Sequence, residues 1–363
     1  MNNALPFKMY HQDIVRPDWT QPSQRNEHAL WLDKNECIDP VYNQLTLEWM
    51  QTLLPQAMYG YPDCSNLYHK LANWLGVSAE NILFAAGSDG IIRLAYEAFI
   101  QPGDKVLYPT PTFAMYSVYA KIYGAHPLTV DYVRVQQRCK LDIDQFIQHI
   151  YQNQPKLICL PCPDSPTGAV ATQEDILAII NAAEEISAIV LIDEAYYPFY
   201  DQTLLSWIHT KHNLLVARTF SKAWGLAGIR LGYAVGSAEL IAKLHRLRPM
   251  YEIGNLSVLV AEKAIDQSEK MRASVDRILE GKHFFQEALQ HLGFDVLQQV
   301  HGNFLHVDFG RKADKIHRVL QDKVLYRNHF SHPSLDGYNR FTASTKDNMQ
   351  FILEYIQCAL SGR

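Results

Sequence analysis

The chain has 363 residues, 48% hydrophobic and 20% charged, with a formal net charge of -5. That balance excludes a disordered or fibrous chain, offers no basic tract for nucleic acid, and leaves no run near the ~18 apolar residues of a membrane helix. The length exceeds what one small core accommodates and predicts a large domain with a smaller one.

The opening MNNALPFKMYHQDIV lacks the charged end and apolar core of a secretory signal. Six cysteines read as reduced thiols, so the expected location is cytoplasmic. The first 40 or so residues show weak periodicity and include Pro6, Pro17 and Pro22. They are expected to form an arm on the smaller domain or on a partner subunit. ILFAA (82–86) reads as a buried strand, and DGIIRLAYEAFI (89–100) puts Ile91, Leu94, Ala95, Ala98 and Phe99 on one helical face. QPGDK is a turn, VLY (106–108) a strand, and FAMYSVYAKIYGA (113–125) a helix stopping near Gly124.

KLICL (156–160) is the next strand; it carries Cys159 of CLPC, and Cys162 follows it. That placement at a strand end argues against a redox C-x-x-C pair, which needs a helix start. Thr172, three before Asp175, caps the helix of ILAIINAAEE. AIVLI (188–192), LLVAR (214–218) and IRLGYAV (229–235) are further strands. His209 and His212 have no third ligand nearby, and no metal is expected. Strand and helix alternating in this way predict an α/β fold: a mainly parallel sheet with helices on both faces.

Past Arg248-Pro249 the character changes. A long helical pattern (256–290) precedes FLHVDF (304–309), a helix over 316–320, YNRFTAS (338–344) and a final helix, NMQFILEYIQCAL. This part reads as α+β. The predicted division is 1–40 as arm and part of the small domain, 41–248 as the large domain and 249–363 as the small one.

In such sheets ligands bind beyond the carboxyl ends of the strands. Five strand ends carry GSDG (87–90), PTPTF (109–113), PCPDSPTG (161–168), DEAY (193–196) and TFSK (219–222). Together they bring hydroxyls, a carboxylate, an aromatic and a lysine to one crevice. A lysine amine forms a Schiff base with an aldehyde, and a carboxylate keeps a pyridine nitrogen protonated. A helix start with hydroxyls and a cation holds a phosphate. Those demands match pyridoxal 5'-phosphate. Gly225 and Gly228 would let the backbone run close under it.

The motifs LDKNE, YPD, GSD, PTFAMY, SPTG, DEAYYPF, RTFSKAWGLAGIRLGY and NRFTAS follow one another from Leu32 to Ser344. In them the chain resembles the fold-type I pyridoxal-phosphate aminotransferases, most of all the histidinol-phosphate aminotransferase family. The resemblance implies an α/β fold whose mainly parallel sheet is of the seven-stranded type, and a transfer between an amino donor and a 2-oxo acid, 2-oxoglutarate. It implies that Lys222 holds the cofactor and moves the proton at the substrate carbon. Asp193 would bind the pyridinium nitrogen, Tyr196 the phenolate oxygen, and Phe113, where the family usually has Tyr, would stack on the ring. Gly87, Ser88, Asp89, Thr219, Ser221 and Arg230 would make the phosphate cup, Ser88 and Asp89 largely through backbone N–H groups. Tyr61 would reach the cofactor phosphate of the neighbouring subunit in a homodimer. Arg340 would clamp a substrate carboxylate, Arg327 would meet a substrate phosphate, and Asn35 would bind substrate.

The chain departs from the family at Asp164-Ser165, where Asn-Asn is usual. The second Asn donates to the phenolate oxygen, and Ser165 is a shorter donor. Gly90 stands for a frequent Glu and Cys37 for Asn or Tyr, both expected where substrate side-chain contacts differ. The alternatives on the same fold are a phosphothreonine-type decarboxylase and an aromatic amino acid aminotransferase. A ligand-sensing regulator is not expected, since the 30 or so residues before LDKNE carry no helix-turn-helix pattern.

Overall fold

The structure, a computed structural model, describes Ile14 and residues 25–361. Most of the expected arm, with Pro6, Pro17 and Pro22, lies outside the described residues. Seven strands form the main sheet, in spatial order Ile82–Ala85, Gly232–Gly236, Leu214–Thr219, Ile189–Asp193, Leu157–Pro161, Lys105–Thr110 and His126–Asp131. Gly232–Gly236 runs antiparallel to both neighbours, and the remaining pairings are parallel. The sheet is mainly parallel, as the alternation predicts.

Both faces are covered, which is why these strands read as continuous apolar runs. Phe84, Ile158, Ile192 and Val216 pack on one side with Ile176, Ile179 and Ile180 of the helix Gln173–Glu185. Leu83, Cys159, Leu191 and Ala217 pack on the other with Ile91, Leu94 and Ala95 of the helix Gly87–Phe99. The Thr172–Asp175 capping box forms as expected. Buried on all sides, the Cys162 thiol is pushed up to about 12 and Cys159 also upward, which suits packing and not redox chemistry.

Two features differ from the sequence reading. The edge strand His126–Asp131 is mostly exposed and so has no apolar run to betray it. The long helical pattern is two helices, Asn255–Asp266 and Ser268–His291, broken at Gln267.

The C-terminal part holds an antiparallel sheet of Asp295–Val296, Phe304–Asp308 and Asn339–Thr342. Helices Ser268–His291 and Lys346–Ser361 back it with Phe285, Leu289 and Ile352 against Leu305 and Phe341. Leu30–Trp31 pairs in parallel with Val324–Leu325, so the early segment is stitched to this part. Among the described residues no helix is long and apolar enough to cross a membrane.

Candidate active site

The strand ends converge on one cavity of about 350 Å³. Of the expected residues, Ser88, Asp89, Phe113, Ser165, Asp193, Tyr196, Thr219, Ser221, Lys222, Arg230 and Asn35 line it. Lys34, Pro161, Pro163 and Ala195 complete the wall. Arg340 and Gly87 stand directly behind it, Arg327 opens into an adjoining cavity, and Tyr61 lies apart.

Lys222 sits where the strand Leu214–Thr219 breaks into a tight turn, closed by Gly225 N donating to the Lys222 carbonyl at 3.0 Å. Its Nζ donates to the Lys34 carbonyl at 2.9 Å. Burial and the Arg340 charge push the amine down to about 8, so a useful neutral fraction exists near neutrality. Asp193 ends its strand fully enclosed. Tyr116 Oη donates to it at 3.1 Å and Ala195 N at 3.0 Å. Burial still lifts the carboxyl to about 6, which marks a carboxylate short of a cation. A protonated ring nitrogen is such a cation.

Two supports were not foreseen. Tyr116, three residues after Phe113, turns its hydroxyl inward from the helix Met115–Ile122; helical spacing could have marked it as inward. Glu194 points away from Asp193, by the alternation of extended chain. It takes Arg218 Nε at 2.9 Å and Nη2 at 2.8 Å, with both side chains buried. This pair ties the Asp193 strand end to the strand that delivers Lys222.

The anion-binding end is built from backbone. The helix Gly87–Phe99 begins at the cavity with Gly87 at φ 79, a conformation that suits glycine. Gly232 lies beneath that helix start with no room for a side chain. Thr219 Oγ1 meets Ser221 Oγ at 3.0 Å, and Arg230 Nη1 donates to Ser221 Oγ at 3.3 Å. Burial, with the Asp89 carboxylate nearby, pushes the Tyr119 hydroxyl up. Helix start, hydroxyls and guanidinium together form a phosphate cradle. With the amine and the enclosed carboxylate at the other end, the residues present fit pyridoxal 5'-phosphate.

At the rim, Asn35 adopts φ 58 and donates its Nδ2 to Tyr196 Oη at 2.8 Å. The tyrosine O–H is thereby free to donate elsewhere. Ser165 Oγ accepts from Arg340 Nη1 at 3.4 Å. Arg340 also donates to the Asp33 carbonyl at 2.6 Å, while its buried Nε has no partner. Burial pushes this guanidinium down to about 10. Arg327 and Arg340 exchange backbone bonds of 3.1 and 2.8 Å. The Arg327 guanidinium lies 4.4 Å over Phe330 and lines an adjoining cavity of about 310 Å³, which shares Phe113 and Ser165 with the first.

Six further residues singled out in the sequence lie outside the cavity wall. Asp164 does not line the cavity; it is buried, accepts from Thr112 Oγ1 at 2.8 Å and is lifted to about 8 by burial. It therefore ties the Ser165 turn to the loop bearing Phe113. Gly225 faces the Tyr42 ring, a Cβ on Gly228 would meet open space, and neither glycine is part of the cavity wall. Gly90 lines a different cavity with Arg93 and Glu97, and Cys37 is packed near Ser274, so neither departure touches this site. Tyr61 is 78% exposed and stacks on Tyr251 at 4.3 Å, away from its own chain's cavity.

A family model described as "Aminotransferase class I and II" matches residues 27–356. The chain is 37% identical over 297 residues to a histidinol-phosphate aminotransferase of Thermoanaerobacter sp. (strain X514), covering 82% of each. It is 34% identical over 304 residues to the enzyme of that name from Caldanaerobacter subterraneus subsp. tengcongensis, covering 84% of this chain and 85% of the other. Among solved structures, the histidinol-phosphate aminotransferase of Sinorhizobium meliloti in complex with pyridoxal-5'-phosphate superposes with a TM-score of 0.79 at 22% identity, over 92% of each chain.

Proposed function

Because the chain belongs to the class I and II aminotransferase family, we propose that it moves an amino group between histidinol phosphate and 2-oxoglutarate, with pyridoxal 5'-phosphate as cofactor. The carrying observation is the pairing of two arginines on one short stretch of backbone. Arg340 stands behind the first cavity, bonded to Ser165 of its wall, and Arg327 lines the second. One site is thus equipped for a carboxylate and, a side chain away, for a phosphate.

The cofactor supplies an aldehyde that condenses with amines and a ring that takes up electrons. The chain's residues do the rest. Lys222, with its amine near 8, binds the cofactor, then takes and returns the proton at the substrate carbon. Asp193 keeps the proton on the ring nitrogen, and Tyr196 offers its hydroxyl to the ring oxygen. Phe113 covers the ring face. Gly87, Ser88, Asp89, Thr219, Ser221 and Arg230 hold the phosphate. Asn35 orients Tyr196 beside the substrate.

The proposed assembly is a homodimer with Tyr61 reaching the partner's cofactor phosphate. Leu54, Met58, Tyr59, Tyr61, Met250 and Tyr251 are all exposed, and this apolar surface supports a subunit contact. The separate core around Phe285 and Ile352 supports a small domain after residue 248, with residues 25–40 on it. The proposed cytoplasmic location is supported by six cysteines, none in a disulfide.

The test is a donor screen following loss of the cofactor's visible colour with histidinol phosphate, aromatic amino acids, glutamate and phosphothreonine. Fast reaction of histidinol phosphate and of glutamate, the amine that 2-oxoglutarate becomes, with the other donors slow, supports the proposal. Reaction of carboxylate-bearing donors only would remove it. Carbon dioxide release independent of 2-oxoglutarate would turn the reading to a decarboxylase.

A further inference from the structure

Lys282 lies outside the cavity and takes no part in the chemistry above. It belongs to the helix Ser268–His291 and is 4% exposed. A buried ammonium ordinarily has a carboxylate beside it. Among the described residues none pairs with Lys282. Its Nζ donates instead to the Val300 carbonyl at 2.6 Å and the Gly302 carbonyl at 2.8 Å. Burial pushes the amine down to about 7. Even neutral, it keeps two N–H donors for the two carbonyls.

The segment it grips faces the active site on its other side. A Cβ on Gly302 would stand 3.0 Å from Tyr196 Cδ1, so the backbone there rests against the tyrosine ring. A Cβ on Gly168 would stand 2.5 Å from Val300 Cγ1, and His301 N donates to the Gly168 carbonyl at 2.9 Å. Residues 300–302 are wedged between Lys282 and two parts of the cavity wall. Those parts are the Tyr196 ring and the turn that carries Ser165. The segment belongs to no helix or strand, so its position depends on what grips it.

We propose that Lys282 is a positioning residue for the transamination, holding residues 300–302 against Tyr196 and Gly168 and so setting where the Tyr196 hydroxyl meets the cofactor. The proposal rests on the reading of Tyr196 given above. Lys282→Met removes the donors, Lys282→Gln restores two donors on a side chain one bond shorter, and Tyr196→Phe serves as reference.

Three readouts apply: kcat against KM, the pH midpoint of the bound cofactor's visible absorption, and amide exchange at His301 in cofactor-free protein. Lys282→Met is expected to lower kcat about tenfold with little change in KM, as a small misplacement does. It should speed exchange at His301. It should also raise the absorption midpoint, in the direction of Tyr196→Phe, because a donor to the deprotonated form is displaced. Lys282→Gln should fall between wild type and Met; should the Met variant not fold, the Gln variant against wild type carries the same comparison. Lower stability in urea with an unchanged midpoint and kcat would make Lys282 a purely structural residue and overturn the proposal. A midpoint moved by Tyr196→Phe but not by Lys282→Met sinks the proposal alone. A midpoint unmoved by Tyr196→Phe sinks the tyrosine reading and the proposal together.

Discussion

Gly232 lies directly beneath Ser88: a Cβ on it would stand 2.4 Å from the Ser88 nitrogen and 2.3 Å from the Gly87 carbonyl carbon. Both contacts are backbone, so nothing flexible can give way. Gly232→Ala should therefore displace the helix start that holds the phosphate. We expect a stability loss of about 1–3 kcal/mol, as for other overpacked sites, with weaker cofactor binding beside it. Urea unfolding and cofactor titration check this. Unchanged binding would show that the cradle tolerates the shift.

Cofactor uptake should follow the state of Lys222. The amine is protonated below about 8 and neutral above it. Only the neutral form attacks an aldehyde. The rate of colour development on adding the cofactor to apoprotein should rise with pH and level off above that value. Lys222→Arg should give no covalent adduct after borohydride, read by mass. A pH-independent rate would show that another step limits uptake.

Ser165 spends part of its hydroxyl on Arg340, at 3.4 Å. An asparagine there has separate donor and acceptor atoms and a longer reach. Ser165→Asn should therefore lower the pH midpoint of the bound cofactor's absorption, by adding a donor to the deprotonated form. An unchanged midpoint would remove this account of the departure.

Arg327 and Arg340 should divide the substrates between them. Loss of a charged hydrogen bond costs about 1.5–3 kcal/mol, roughly tenfold to a hundredfold in kcat/KM. Arg327→Ala should impose that loss on a phosphate-bearing donor and spare glutamate. Arg340→Ala should do the reverse. Equal losses on both substrates would deny Arg327 a part in selection.

Glu194 and Arg218 form a buried pair 2.8 Å apart. Glu194→Gln would leave the guanidinium without its countercharge, and breaking such pairs costs about 3–5 kcal/mol. Urea midpoints should fall accordingly, and a near-normal midpoint would mean that Thr203, also bonded to Arg218, suffices.

Much of the cavity was legible because its parts are local. Each strand-end stretch, from Gly87 to Lys222, carries its chemistry within a few residues of an apolar run. The contacts that close the site are different in kind. Asn35 N meets Thr342 Oγ1 at 2.9 Å across 307 positions, and no periodicity reports such a meeting. Tyr116 and Lys282 look like ordinary helix residues until the sheet and the 300–302 segment are set beside them. The direction of Gly232–Gly236 was equally hidden, since an apolar run reads the same both ways.

The meeting of Asn35 with Thr342, and of Asp33 with Arg340, carries a temporal consequence. Every group proposed to hold the vitamin from within its own chain has been synthesised once the strand ending at Gly236 is made. Arg327, Arg340 and Thr342 emerge only near the end of synthesis. A nascent chain can thus acquire its cofactor-holding half long before it can recognise a substrate, and the last-made segment completes the enzyme by returning to one of the first.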